Sequence, residues 1–402
     1  MKKMLIFKKG GKRGFSLLEL LLGSAIMLVV LFATLTIYNR SNKTTVDQHQ
    51  SADLQNNVRA GMYFIAKDVR SSGVGLLPEV AGYFLEGTDS ESPGPAPGTG
   101  GADSIRLMGN FDDPLSLRIE KYQGGTGGGS ATAFLYDYEL ENAPYPCPTF
   151  YEGRTYLFIS VKCPGCYTFR YIDVGQVHGC GTGVNHLNFT PGSSDLNPPG
   201  GLVEPGCGET CWDDAIVTLA QIKFYWLDTT GSLTAIKEFA LSPGQNGYLG
   251  QAGVLYVSTA LSDGTMTHLP LARNIENLQF QYNGDLNDNG ALDGFQNWDN
   301  ANWTILATDT EADRTAKRAI ISRIRQVKIW VQGRTERPFV SVSGILPGTP
   351  PDKLPPGAHL YQRPTIANSP GDDTVDRCRR FVLESTSNIR NLSLSLYNLG
   401  TR

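Results

Sequence analysis

The stretch Asp285-Leu286-Asn287-Asp288-Asn289-Gly290-Ala291-Leu292-Asp293 sets oxygen-bearing side chains at alternate positions ahead of a glycine. Calcium loops use side-chain oxygens at their first, third and fifth positions, a glycine at the sixth, a backbone carbonyl at the seventh and often an acid at the ninth. Asp285, Asn287, Asn289, Gly290, Ala291 and Asp293 fill that order. The twelfth position departs from it, because Gln296 stands where a bidentate glutamate is expected, with Asp299 as a substitute if the loop bends differently. With two charged ligands the expected affinity is weak, suited to millimolar extracellular Ca2+. The competing reading is a hairpin turn, for which Asn-Gly after a strand is a strong signal by itself.

Cysteine supplies the second set of reactive groups. Cys163-Pro164-Gly165-Cys166 and Cys207-Gly208-Glu209-Thr210-Cys211 could bring four thiolates to one zinc ion from two knuckles. Cys147 and Cys180 add two more, so that six cysteines fall between residues 147 and 211, an even number that suits three disulfides. Disulfides are the favoured reading, as staples for loops with little core of their own. The sequence leaves their pairing open, and Cys378 is either buried or paired with one of the six. His178 and His186 bracket Cys180, but two histidines on a glycine-rich loop read first as solvated polar residues. No nucleophile elbow, His-Glu-x-x-His or phosphate-cradling loop is present, so no active site is indicated.

The element that positions everything else lies at the N-terminus. Lys2, Lys3, Lys8, Lys9, Lys12 and Arg13 precede an apolar run over residues 15–38 whose one ionisable side chain is Glu19. As a helix that run is about 36 Å long, enough to cross a bilayer, and the basic leader holds its start in the cytoplasm. It is longer than the apolar core of a secretory signal, and no small-x-small cleavage site follows it. A carboxylate near the start of a span costs on the order of 2–3 kcal/mol without a partner, so Glu19 calls for a functional explanation. Everything beyond the span then lies in a compartment where disulfides persist.

Gly14-Phe15-Ser16-Leu17-Leu18-Glu19-Leu20 behind a basic leader resembles the processing signal of type IV prepilins and of the pseudopilins of type II secretion. The resemblance implies that a membrane prepilin peptidase cuts between Gly14 and Phe15 and methylates the new N-terminus. Glu19 would then be the fifth residue of the mature chain, pairing in a filament with the Phe15 amine of a neighbouring subunit.

Past the span the helical period continues. Leu54, Val58, Met62, Ile65 and Val69 form an amphipathic stripe, while Asp47, Asp53, Arg59, Lys67, Asp68 and Arg70 take other positions. No proline falls between residues 15 and 70, and Gly73 is placed to cap the end, so one helix over 15–73 is expected. Residues 74–101 read as loop. From about residue 103 the signals are β: Ile105 and Leu107, Tyr156–Val161, Ile216–Leu227, the alternation of Leu278, Phe280 and Tyr282, and that of Val327, Ile329 and Val331. No long helical period interrupts them. The fold class expected is α+β and pilin-like, a long N-terminal helix packed on an antiparallel sheet, with a leader over 1–14, a head over 74–402 and a cysteine-rich insertion around 140–215.

Ile65-Ala66-Lys67-Asp68-Val69-Arg70-Ser71-Ser72-Gly73, the segment Leu271–Tyr282 and the late Ile389-Arg390-Asn391-Leu392 are similar to the PilW group of minor pilins and to J-type pseudopilins. That likeness implies a minor pilin made in the inner membrane, with other major and minor pilins and the prepilin peptidase as partners, ending in a pilus fibre at the cell surface. The alternatives are a J-type secretion pseudopilin and a helix-mounted adhesin. Net charge is −4, and without the six leader residues the count is 29 basic against 39 acidic, about −10, which gives no support to nucleic-acid binding.

Overall fold

The computed structural model describes residues 16–73, 84–89, 101–111, 116–124, 131–136, 154–163, 166–172, 177–178, 186–189, 207–228, 253–260, 266–306, 308–335, 361–369, 372–376 and 378–389. Helix α1 runs unbroken from Leu17 to Ser71, 55 residues, and is about 83 Å long. It ends as the sequence predicts. Ser72 is the cap, and Gly73 takes φ +79°, a left-handed conformation that costs glycine little.

The two halves of α1 differ in what they touch. Every residue from 17 to 46 is exposed, including Leu17, Leu22, Phe32 and Ile37. The stripe Leu54, Val58, Met62, Ile65 and Val69 is buried. Asp68, beside that stripe, is buried rather than solvated: its carboxylate accepts a hydrogen bond from Tyr225 Oη at 2.5 Å and meets Lys223 Nζ at 3.1 Å. Burial and the neighbouring Asp68 hold the Tyr225 phenol above its ordinary range, so the hydroxyl stays a donor.

After the helix come β1 (Leu85–Thr88), inside the stretch read as loop, and β2 (Ser104–Gly109), which pair antiparallel. The chain then leaves for a second sheet: β3 (Ser116–Gly124), β4 (Ala131–Leu135), β5 (Arg154–Ile159), β6 (Tyr167–Ile172), β7 (Val177–His178), β8 (His186–Phe189) and β9 (Ile216–Leu219). It returns as β10 (Gln221–Asp228), which pairs directly with β2, Lys223 opposite Leu107. The insertion is therefore a seven-stranded sheet spanning residues 116–219, larger than the expected 140–215. Ile216–Leu227, read as one β run, is two strands in different sheets, broken at Ala220.

The first sheet is completed by β11 (Gly253–Ala260), β12 (Met266–Gly284), β13 (Ile324–Arg334) and, after the small pair β14 (Tyr361–Arg363) and β15 (Asp372–Asp376), by β16 (Arg380–Asn388). Its order is β1-β2-β10-β11-β12-β13-β16, antiparallel throughout, and α1 packs across β12, β13 and β16. Leu278, Phe280, Tyr282, Val327, Ile329 and Val331 face the helix stripe in one core, as their alternation predicts. Gly333 leaves no room for a side chain beneath the helix, since a Cβ there would stand 2.6 Å from Leu54 Cδ1 and 2.7 Å from Val58 Cγ2. The second sheet joins the first through a buried apolar contact of Met108, Leu157, Ile159, Tyr167, Phe169 and Ala220.

A second helix, α2 (Glu311–Ser322), corrects the expectation of an uninterrupted β head. Its sequence signal is a capping box: Thr310 Oγ1 accepts from Asp313 N, and the Asp313 carboxylate accepts from Thr310 N. Arg318 on α2 donates to Tyr167 Oη at 2.7 Å, which ties this helix to β6 of the second sheet.

Candidate functional site

Gly14 and Phe15 lie outside the described residues; Glu19 lies within them. Its carboxylate accepts a hydrogen bond from Ser16 N at 3.1 Å, while Ser16 Oγ accepts from Leu18 N at 3.3 Å. Within one chain the acid therefore has a local role, closing a capping box at the start of α1. The spacing Ser16-x-x-Glu19 carries that signal, and reading Glu19 only as an acid in a span misses it. The hydroxyls of Ser24, Thr34 and Thr36 donate back to the carbonyls of Leu21, Val30 and Phe32, so this exposed apolar half satisfies its own polar groups, as a span requires.

The Asp285–Asp293 segment follows directly from β12 and is closed at its base, where Asp293 N donates to Gly284 O at 2.9 Å. Its side-chain oxygens turn inward onto the loop's own amides. Asp285 Oδ1 accepts from Asn289 N at 2.8 Å and Oδ2 from Gly290 N at 2.9 Å. Asn287 Oδ1 accepts from Asn289 N at 3.1 Å and Asn289 Oδ1 from Ala291 N at 2.8 Å. Asp293 Oδ2 accepts from Leu286 N and Asn287 N, and its Oδ1 from Asn287 Nδ2 at 2.6 Å. Asp288 at φ +63° and Gly290 at φ +82° supply the left-handed steps that curl the loop, which aspartate and glycine tolerate best.

Two carboxylates, two amide oxygens and the Ala291 carbonyl form a hard-oxygen donor set, and its chemistry fits Ca2+. The twelfth position does not add to it. Gln296 is fixed by a two-way backbone bridge to Tyr282, with N–O distances of 2.7 and 2.8 Å. Asp299 does not substitute either, because its carboxylate accepts from Asn302 Nδ2, Asn302 N and Ala301 N in a turn of its own. Those bonds, the Asn302 side chain first, hold Asp299 below the usual carboxylate range. Two cations flank the loop: Arg323 pairs with Asp288 at 2.6 Å, and Arg325, whose burial lowers its pKa, lies in the field of Asp285. Both reduce the pull on a divalent cation.

Four of the candidate cysteines are joined in two disulfides, Cys163–Cys211 and Cys166–Cys207. They link the turn between β5 and β6 to the 3-10 turn Glu209–Cys211 ahead of β9, and three of the four are buried in the second sheet's core beside Trp212. Cys147 and Cys180 lie outside the described residues, and Cys378 is buried. His178 and His186 stand opposite each other across β7 and β8 with stacked rings, centroids 4.6 Å apart. They are a cross-strand pair rather than loop residues.

One contact has no forerunner in the sequence. Ser258 Oγ lies 2.6 Å from His268 Nδ1 and accepts from Trp226 Nε1 at 2.8 Å. A hydroxyl beside an imidazole is the start of a nucleophile–base pair, but Ser258 is 1% exposed and bound by the indole, which makes it a polar rivet between strands. No family matches the chain, nor does any curated protein or solved structure.

Proposed function

We propose that this chain is a minor pilin of the PilW type, processed after Gly14 and assembled into a type IV pilus through α1. The observation that carries the reading is the division of α1. Its first half is apolar, exposed and able to span a membrane. Its second half is buried against an antiparallel sheet. A subunit built this way is inserted in the inner membrane before assembly and packs its apolar half among the helices of other pilins afterwards. The Glu19 side chain then exchanges its capping bond for the charged amine of Phe15 on a neighbour. The large head, extended by the second sheet, suits a subunit that primes assembly or sits at the tip, where nothing need stack above it. The role is non-catalytic. A J-type pseudopilin of type II secretion is the nearest alternative, and an adhesin head mounted on the helix is the next.

Co-expression with a prepilin peptidase tests the first step. Mass spectrometry should then find a chain beginning at methylated Phe15, shorter by the 14 leader residues. An unprocessed N-terminus, or cleavage elsewhere, would reject the reading.

We also propose Ca2+ as the ligand of the 285–293 loop, held by Asp285, Asn287, Asn289, Asp293 and the Ala291 carbonyl. With a dissociation constant of about 1 mM, ~10 mM Ca2+ stabilises the protein by about 1.4 kcal/mol. Thermal melting should therefore rise by a few degrees in calcium for the wild type and not for Asp285→Ala. Equal shifts in both proteins would remove this site.

A further inference from the structure

We propose that Cys163, Cys166, Cys207 and Cys211, when reduced, form a tetrathiolate site for Zn2+, so that one cluster has two alternative closures, a pair of disulfides or a metal ion. The inference is independent of the pilin reading and rests on how the backbone gathers the sulfurs. Cys163 and Cys166 span a tight turn, with Cys166 N donating to Cys163 O at 3.1 Å; Cys211 N closes the other turn on Gly208 O at 2.9 Å. The turns are also tied to each other without sulfur. The buried Ser160 donates its hydroxyl to Cys211 O at 2.5 Å, accepts from Cys163 N at 2.8 Å, and its own N–H donates to Cys166 O at 2.9 Å. Opening the disulfides therefore leaves both turns hydrogen-bonded and side by side.

The sulfur positions suit the ion. Sγ of Cys163, Cys166 and Cys211 all lie within 4.8 Å of one another, Cys163 and Cys211 at bonding distance, so reduction needs to part that pair by only about 2 Å to reach the ~3.8 Å edge of a tetrahedron with Zn–S near 2.3 Å. Cys207, held to Cys166 by its bond, completes the set by side-chain rotation once that bond is cleaved. The spacings Cys-x-x-Cys and Cys-x-x-x-Cys are those of structural zinc knuckles, and the surrounding burial suits a closed, all-protein site. A soft four-sulfur set selects Zn2+ over Ca2+ or Mg2+.

The chemistry balances. Two molecules of a dithiol reductant together deliver four electrons and four protons to the two S–S bonds, and each becomes a disulfide. Zn2+ then displaces four thiol protons to form four Zn–S bonds. Two molecules of a disulfide oxidant reverse the sequence: they take the four electrons, pick up four protons from water to leave as thiols, reform both S–S bonds and release the ion. Zinc would thus hold the second sheet's loops in place in any reducing setting that precedes oxidation.

The test uses the full chain in detergent, reduced under argon and alkylated with and without Zn2+, with each cysteine followed by mass spectrometry. Zinc should protect Cys163, Cys166, Cys207 and Cys211 and leave Cys378 and the remaining cysteines at their metal-free rates. Co2+ as a probe should give the visible spectrum of a tetrahedral thiolate site at one ion per chain. Cys207→Ser should weaken it by at least about tenfold, the loss that even an outer-shell change produces. A six-coordinate cobalt spectrum, or alkylation of the four cysteines unaffected by zinc, would overturn the proposal. A properly folded Cys163→Ser/Cys166→Ser variant that still shows the tetrahedral bands would do the same.

Discussion

Glu19→Ala should leave cleavage after Gly14 intact and reduce incorporation into fibres by about tenfold or more, the change that ~1.4 kcal/mol per subunit contact produces. Two roles of the carboxylate contribute to the expected loss. Within the chain it accepts the Ser16 N–H from the N3 position of α1, a local contribution whose loss frays only the first turn. Between chains, the proposed pairing with a Phe15 amine acts in a water-poor helix bundle, where an unpaired charge is far more costly. Glu19→Gln separates the two. Glutamine keeps a side-chain oxygen for the capping bond but carries no charge for the amine. Cleavage followed by poor incorporation of Glu19→Gln is the expected result, read by comparing cell-associated and sheared-fibre fractions. Normal incorporation of that variant would leave capping as the whole function of Glu19 and refute the pairing.

The largest loss of folded stability should follow Glu276→Ala. Glu276 on β12 receives Arg380 of β16 through two bonds, Nε to Oε2 at 2.7 Å and Nη2 to Oε1 at 3.0 Å, and Gln332 of β13 at 2.7 Å. The clamp thus crosses three neighbouring strands and ties the edge strand β16 to β12. Both charged side chains are largely buried, at 9% and 11% exposure. Removing one partner strands the other charge, at a cost of about 3–5 kcal/mol, or roughly 4–7 °C in melting temperature for a head of this size. Replacing Glu276 and Arg380 together with apolar residues of similar volume should recover most of it. A loss under about 1 kcal/mol would mean the pair is solvated like a surface bridge.

The same residue sets a pH dependence. Burial raises the Glu276 pKa, but the Arg380 hydrogen bonds and charge, with Gln332 and Arg334, outweigh it and leave the carboxyl below its usual value. A depressed folded pKa means stability that is present above the unfolded value, about 4.3, and lost as pH falls through the lower folded one. Below about pH 4 the gap between wild type and Glu276→Ala should therefore narrow. Chemical denaturation across that range checks both the size and the sign.

Local periodicity explains what could be read in advance. The stripe Leu54, Val58, Met62, Ile65 and Val69 and the alternations over Leu278–Tyr282 and Val327–Val331 each record which face of an element meets the core, and all of them are buried as read. The Asp285–Asp293 loop is likewise local: its alternate oxygens bond to amides within a few residues. The signals at Ser16-x-x-Glu19 and Thr310-x-x-Asp313 were present in the same local form. They are four-residue patterns, easily passed over beside a long apolar run or a β-rich head.

Long-range pairing carries no such imprint. β2 and β10 are neighbours in one sheet although a complete second sheet lies between them in the chain, and the break at Ala220 that separates the sheets falls inside an uninterrupted β-prone run. Asp68 on α1 reads as a polar residue off the apolar stripe and becomes buried because Tyr225 and Lys223 arrive from β10. The pairing of Cys163 with Cys211 and of Cys166 with Cys207 depends on which turns the second sheet brings together, as the clamp of Glu276 depends on strand order. The sequence by itself determined the long helix, its two unlike halves and the oxygen-rich loop, because hydrophobic period and the spacing of side-chain oxygens act over a few residues. Only the tertiary structure decided the insertion's extent, the disulfide partners and the buried charge pairs, because each joins groups that loop closure alone makes neighbours.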